Sequence, residues 1–140
     1  MRTWVVWMML SGAPAFATPR AQPEASTTES VVGMTQSASG RWHVKVLSTA
    51  TPLKRGPQRF TVRVSDAANG KLAQGLSLRV QPWMPSMGHG IDETPRITSR
   101  SDGVFEVSEL DLFMPGTWEL RFTLAGREQD TASVTLKLGR

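Results

Sequence analysis

At 140 residues, with 16 basic and 12 acidic side chains and a net charge of +4, the chain has the length of one domain, and its positive excess is too small and dispersed to mark a nucleic-acid protein. There is no cysteine, which excludes a disulfide framework, a cysteine nucleophile and a lipid anchor on cysteine. Lys54, Arg55 and Arg59 form the one local basic cluster; without interleaved aromatics it reads as a solvated loop.

The chain opens with Arg2 and an apolar run at 4–10, broken by Gly12 and Pro14 and followed by Ala15, Phe16 and Ala17. This is the layout of a secretory signal peptide over 1–17, with a small-residue cleavage site after Ala17. The run is too short to span a bilayer, which takes about 20 helical residues. The sequence therefore predicts an exported protein, periplasmic or secreted, with no stable membrane span; an uncleaved N-terminal anchor is the other reading. Residues 18–40 are mostly Thr, Pro, Ala, Gln, Ser and Glu, with Val31, Val32 and Met34 as the few large apolar residues. Such a composition buries too little surface to offset its ordering entropy and predicts a flexible linker.

From Arg41 the pattern changes, and 41–140 reads as one domain. Trp42, Val44 and Val46 alternate with polar residues, as do Phe60, Val62 and Val64, then Leu76, Leu78 and Val80. Phe105 and Val107 continue the pattern, followed by Trp118, Leu120, Phe122 and Leu124, then Val134, Leu136 and Leu138. Period two predicts strands with one buried face. Turn residues separate them: 54–57, Asn69 with Gly70, Asp102 with Gly103, Pro115 with Gly116, and Gly126. With a weaker strand at 96–99, about seven strands are predicted and no helix. The class is all-β, an immunoglobulin-like β-sandwich, with a small Greek-key barrel as the alternative.

Between two of these strands lie Met84, Pro85, Ser86, Met87, Gly88, His89 and Gly90. Two thioethers and an imidazole sit there within six positions, on a stretch rich in Pro and Gly. Thioether sulfur is a soft neutral ligand suited to Cu(I), and imidazole also binds copper, while both disfavour Mg²⁺ and Ca²⁺. Pro82 and Pro85 remove backbone donors, so the ladder is expected to end here and the chain to leave as a loop. Met114, in Phe113, Met114, Pro115, Gly116, reaches the cluster if both loops share one end of the sandwich. The candidate ligands are thus Met84, Met87, His89 and Met114, with Cu(I) favoured. Methionine also fills gaps in cores, and the inward strand parity of Met84 and the setting of Met114 fit that role as well. Met87 lacks apolar neighbours in sequence. Trp83 has three roles open to it: shielding a metal, stacking on a cation or capping the core. His43 takes the polar parity of its strand and reads as surface.

The run Trp83, Met84, Pro85, Ser86, Met87, Gly88, His89, Gly90, with Met114, Pro115, Gly116, Thr117, Trp118, Glu119 and Leu120 farther on, resembles the YtkA-like domain and is similar to the periplasmic part of FixH-type proteins. The likeness spans roughly 42–138. It implies an immunoglobulin-like envelope domain associated with copper handling or the assembly of copper-containing oxidases. FixH-type proteins carry a membrane helix; this chain has only the short N-terminal run.

The expectation is an exported copper-binding protein, acting as a carrier, a tolerance factor or an oxidase-assembly factor, with the metal ion and an envelope protein or copper-protein client as partners. The alternative is an envelope interaction module whose Met and Trp loop contacts a protein partner. Catalysis is the weakest reading, with no catalytic residue assigned: there is no Gly-x-Ser-x-Gly elbow, and His89 with Asp92 and Glu93 only imitates a hard-metal or acid/base site.

Overall fold

The computed structural model describes residue 12 and residues 28–140. The expected leader, apart from residue 12, and the first part of the expected linker lie outside the described residues. Within them the alternating runs form nine strands: β1 (Ser30–Gln36), β2 (Trp42–Ser48), β3 (Gly56–Asp66), β4 (Ser77–Met84), β5 (His89–Gly90), β6 (Arg96–Ser101), β7 (Val104–Leu112), β8 (Gly116–Ala125) and β9 (Gln129–Leu138). They make a five-stranded sheet in the order β1-β2-β3-β7-β6 and a four-stranded sheet in the order β5-β4-β8-β9, with antiparallel pairing throughout. The all-β, immunoglobulin-like sandwich is as expected.

The apolar face of each strand packs between the sheets. Val44, Val46, Phe60, Val62 and Val64 come from one side; Leu78, Val80, Trp118, Leu120, Phe122, Leu124, Val134 and Leu136 come from the other. Trp118 and Leu124 are completely inaccessible. Burying one such large side chain is worth roughly 1.5–3 kcal/mol, so the stacked inner faces stabilise a domain that has no cysteine to cross-link.

Two elements differ from the sequence expectation. The linker predicted over 18–40 contains β1, which pairs with β2 from Ser30 opposite Ser48 to Gln36 opposite His43. Besides this pairing, β1 passes close over β9, about 100 residues on: a Cβ added at Gly33 would lie 2.2 Å from Cγ1 of Val134, an approach open because Gly33 has no side chain. β7 changes phase within one strand. Phe105 and Val107 face inward, then a bulge and the left-handed backbone of Glu109 (φ 53°) turn Leu110 and Leu112 inward instead.

Both the β2–β3 and β7–β8 connections lie at one end of the sandwich, since Gly56 pairs with Leu112. Gly116 pairs with Leu138, so the chain beyond β9 emerges at that same end. Gly139 N–H donates to the Leu53 carbonyl (2.9 Å) and Arg55 N–H to the Gly139 carbonyl (3.0 Å), tying these segments together.

Candidate functional site

The β4–β5 hairpin is built by its prolines and glycines. Pro82 takes an inward, buried position, and its carbonyl faces β5: a Cβ at Gly90 would approach that oxygen to 2.6 Å. After Met84 the chain turns within loop 85–88. The Met84 carbonyl accepts from Met87 N–H (3.1 Å) and Gly88 N–H (3.0 Å), and Gly88 closes the turn at φ 65°, where a Cβ would be strained. The loop returns as β5, with Met84 opposite His89 and Trp83 opposite Gly90.

This register decides which donors meet. Directly opposed residues of an antiparallel pair share a face, with Cβ atoms about 4.5–5.5 Å apart. The imidazole of His89 therefore lies on the inward face with the Met84 thioether, half-buried, while Met87 occupies the loop between them. Met84 is only 4% exposed and Met87 is 53% exposed, so one sulfur is part of the core floor and the other stands at the rim. His89 Nδ1 lies 3.0 Å from the Gly90 carbonyl oxygen. The tautomer that donates this bond leaves the Nε2 lone pair free for a ligand.

Met114 belongs to the same end. Gly116, two residues on, holds φ 121°, and a Cβ there would lie 3.2 Å from the Met84 methyl, so the β7–β8 connection rests against the Met84 side chain. Trp118 Nε1–H donates to the Met114 carbonyl at 2.9 Å, and the Phe113 ring meets the Trp118 ring edge-on at 6.1 Å. Met114 itself is half-buried and packs on the core. The structure thus joins Met84 and His89 by register and brings the Met114 connection against Met84, with Met87 at the exposed tip of the same hairpin.

Trp83 takes the opposite face. The Arg121 guanidinium sits 4.6 Å over its ring, and Arg121 Nε–H donates to the Glu119 carboxylate at 2.9 Å. Hydrogen bonds from Arg121 and Ser133 hold the Glu119 carboxyl below the usual carboxylate range. Cation stacking, one of the roles open to Trp83, is present, with Arg121 as the cation. His43 is half-buried on β2, and Lys54, Arg55 and Arg59 are exposed.

Among the described residues, no three His, Cys, Asp or Glu side chains gather as a metal-holding group, so His89, Asp92 and Glu93 do not assemble into a hard-metal site. The donors at the hairpin end are soft thioethers and one imidazole, and that chemistry fits Cu(I). Sequence reasoning passed over Phe113 and Gly116. Both stand in the run it quoted around Met114, but Phe113 acts by closing the β7–β8 connection onto Trp118, and Gly116 by meeting Met84 across from β4, a contact that the pairing of β4 with β8 creates.

Comparison with curated proteins and with solved structures gave no match. Comparison with known families matches residues 36–123 to the family described as YtkA-like, a span that includes the β4–β5 hairpin and the β7–β8 connection. The chain belongs to the YtkA-like family.

Proposed function

We propose that this protein is an exported copper-binding protein, a carrier, tolerance factor or oxidase-assembly factor, whose cargo is Cu(I) held by Met87 and His89 with Met84 and Met114 available beside them. The observation that carries the reading is the hairpin register, which sets the His89 imidazole opposite one thioether and leaves a second thioether exposed in the intervening four-residue loop. An exposed soft donor beside a buried one suits a metal that is taken up and passed on. The test is competition with a chromogenic Cu(I) probe. Wild type is expected to remove about one equivalent from the probe, and Met87→Ala with His89→Ala to remove none; wild-type protein that leaves the probe fully loaded would sink the reading.

A second reading is favoured by the exposure of Met87 and Phe113, 53% and 48%. Adaptable methionine with an exposed aromatic also suits an envelope interaction module that holds a protein partner. Thermal denaturation separates the two: a ligand that binds only the native state must raise the melting temperature, so copper does so in the first case and leaves it unchanged in the second.

A further inference from the structure

We propose that the open edge of β4 takes up an extended peptide segment of a partner protein as an added strand, a role separate from metal binding and independent of it. The Pro82 carbonyl faces β5. Along a paired strand, the N–H and C=O of one residue point to one side and those of its neighbours to the other. Leu78 and Val80 therefore turn theirs the way Pro82 does, away from β8. β5 ends at Gly90 and pairs only with Trp83 and Met84, so it does not reach them. Among the described residues no backbone partner meets Leu78 or Val80 on this side, which leaves two donors and two acceptors in line. The other sheet edges are blunted. β1 and β6 carry bulges, between Val31 and Gly33 and between Ser99 and Ser101, and Arg96 and Arg100 of β6 are ion-paired with Glu109 and Glu106. β9 is covered by β1, which passes over Val134, and by Ala38, whose N–H donates to the Thr131 carbonyl at 2.8 Å. β4 pairs with β8 from Ser77 to Trp83 with no register shift. A straight edge with unpaired groups is a template for strand addition.

The groove beside this edge sets the chemistry of the occupant. It has a volume of about 610 Å³ and lies between β4 and the crossover 91–95. Val80, Pro82, Ile91 and Ile97 give it an apolar side continuous with the core. Residues of the added strand opposite Leu78 and Val80 share their inward face and are apolar. The residues between them face outward, where Arg79 and Arg121 are balanced by Asp92 and Glu93, so they are neutral and polar. Alternating apolar and polar residues in an extended segment are thus what the edge selects. A second copy of β4 is blocked by β5. With Val80 opposite Val80 about a two-fold axis, the copy's Ser77 would fall opposite Trp83, the place that Gly90 holds.

The test is amide hydrogen exchange by NMR on the full, metal-free chain, alone and with the peptide acetyl-Lys-Val-Thr-Val-Thr-Val-Lys-amide at up to about 1 mM. In the free chain the amides of Leu78 and Val80 are expected to exchange about 10-fold or more faster than those of Arg79 and Gln81, which bond to β8. The peptide should slow the first pair and leave the second unchanged. An added strand bonds to β4 through every second amide, so N-methylation along the peptide should weaken binding about 10-fold at alternate positions and little at those between. A peptide of the same composition with its valines adjacent should bind about 10-fold more weakly through lost apolar burial. Slow exchange at Leu78 and Val80 in the free chain, whether as a monomer or as a dimer of paired β4 strands, overturns the proposal. So does the absence of binding, protection that falls elsewhere in the domain, or an N-methyl scan without alternation.

Discussion

The two ends of the sandwich are closed by different chemistry. At the end holding 37–41, 67–76 and 126–128, polar side chains tie the turns. The Asp130 carboxylate accepts from Ser39 N–H (3.2 Å), Thr131 N–H (2.9 Å) and the Ser39 hydroxyl, while Gln36 Nε2 donates to the Gly40 carbonyl (2.9 Å). Asp66 accepts from Ala68 N–H at 2.7 Å, and Asn69 from Lys71 N–H at 2.9 Å. At the hairpin end polar side chains tie the 49–55 turn, Ser48 to Ala50 and Gln58 to the Lys54 and Gly56 carbonyls, whereas the connections beside the thioethers are closed by a thioether under a glycine, an indole bonded to a carbonyl and backbone bonds through Gly139. Groups committed to their own turns have little left for a ligand. An end closed by sulfur, aromatic rings and main chain keeps soft donors and apolar surface at its rim.

β9 joins these two closures, with Asp130 near its start and Leu138 at the hairpin end, so the sheet on which both are built depends on it. Ending the chain after residue 132 deletes residues 133–140 and the buried Val134, Leu136 and Leu138, and strips β8 of most of its partner. The expected outcome by circular dichroism is loss of the cooperative thermal transition; a truncated chain melting at the wild-type temperature contradicts the role given to β9. Smaller substitutions sharpen the contrast within the hairpin end itself. Met84→Ala should cost about 2–5 kcal/mol in urea unfolding, as for other buried methionines. Met87→Ala should fall within about 0.5 kcal/mol of wild type, as for exposed positions. Equal costs would mean that loop 85–88 is part of the core and that Met87 is not a free rim donor.

Much of this was legible in the sequence because period-two alternation reports one buried face directly. The parity running from Leu78 through Val80 and Pro82 placed Met84 inward, and it is buried. What alternation cannot carry is contact across the sandwich or a change of phase. β1 reads as linker because its order depends on pairing with β2 and on Gly33 against Val134, and nothing local to 30–36 announces those neighbours. Leu110 and Leu112 escaped the pattern because the bulge at Glu109 shifts the phase after Val107. At the candidate site, residue types suggested the donors, but the pairing of Met84 with His89 is a matter of turn length. A loop one residue longer would place the imidazole on the other face.

The smallest expected effect concerns the far end. Burial raises the Asp130 carboxyl, but hydrogen bonds from Ser39, Ser37 and Thr131 outweigh it and hold the group below the usual carboxylate range. A carboxylate depressed in the folded state contributes stability above its unfolded value of about 3.9, and that contribution is lost as pH falls through the lower folded value. Asp130→Asn should therefore lower the melting temperature near neutral pH, with the gap from wild type closing as pH drops below about 4. Glu106 and Glu119, also held low by arginine partners, are present in both proteins and cancel from the difference. A gap that persists unchanged in acid means that the clamp acts through its shape rather than its charge. Because β8 spans ten residues, about 30 Å, between the two closures, Asp130→Asn combined with Met84→Ala should be additive within about 0.5 kcal/mol. Strong coupling between them would show that the ends do not behave independently, and the polar clamp would then have to be counted as part of what positions the thioethers.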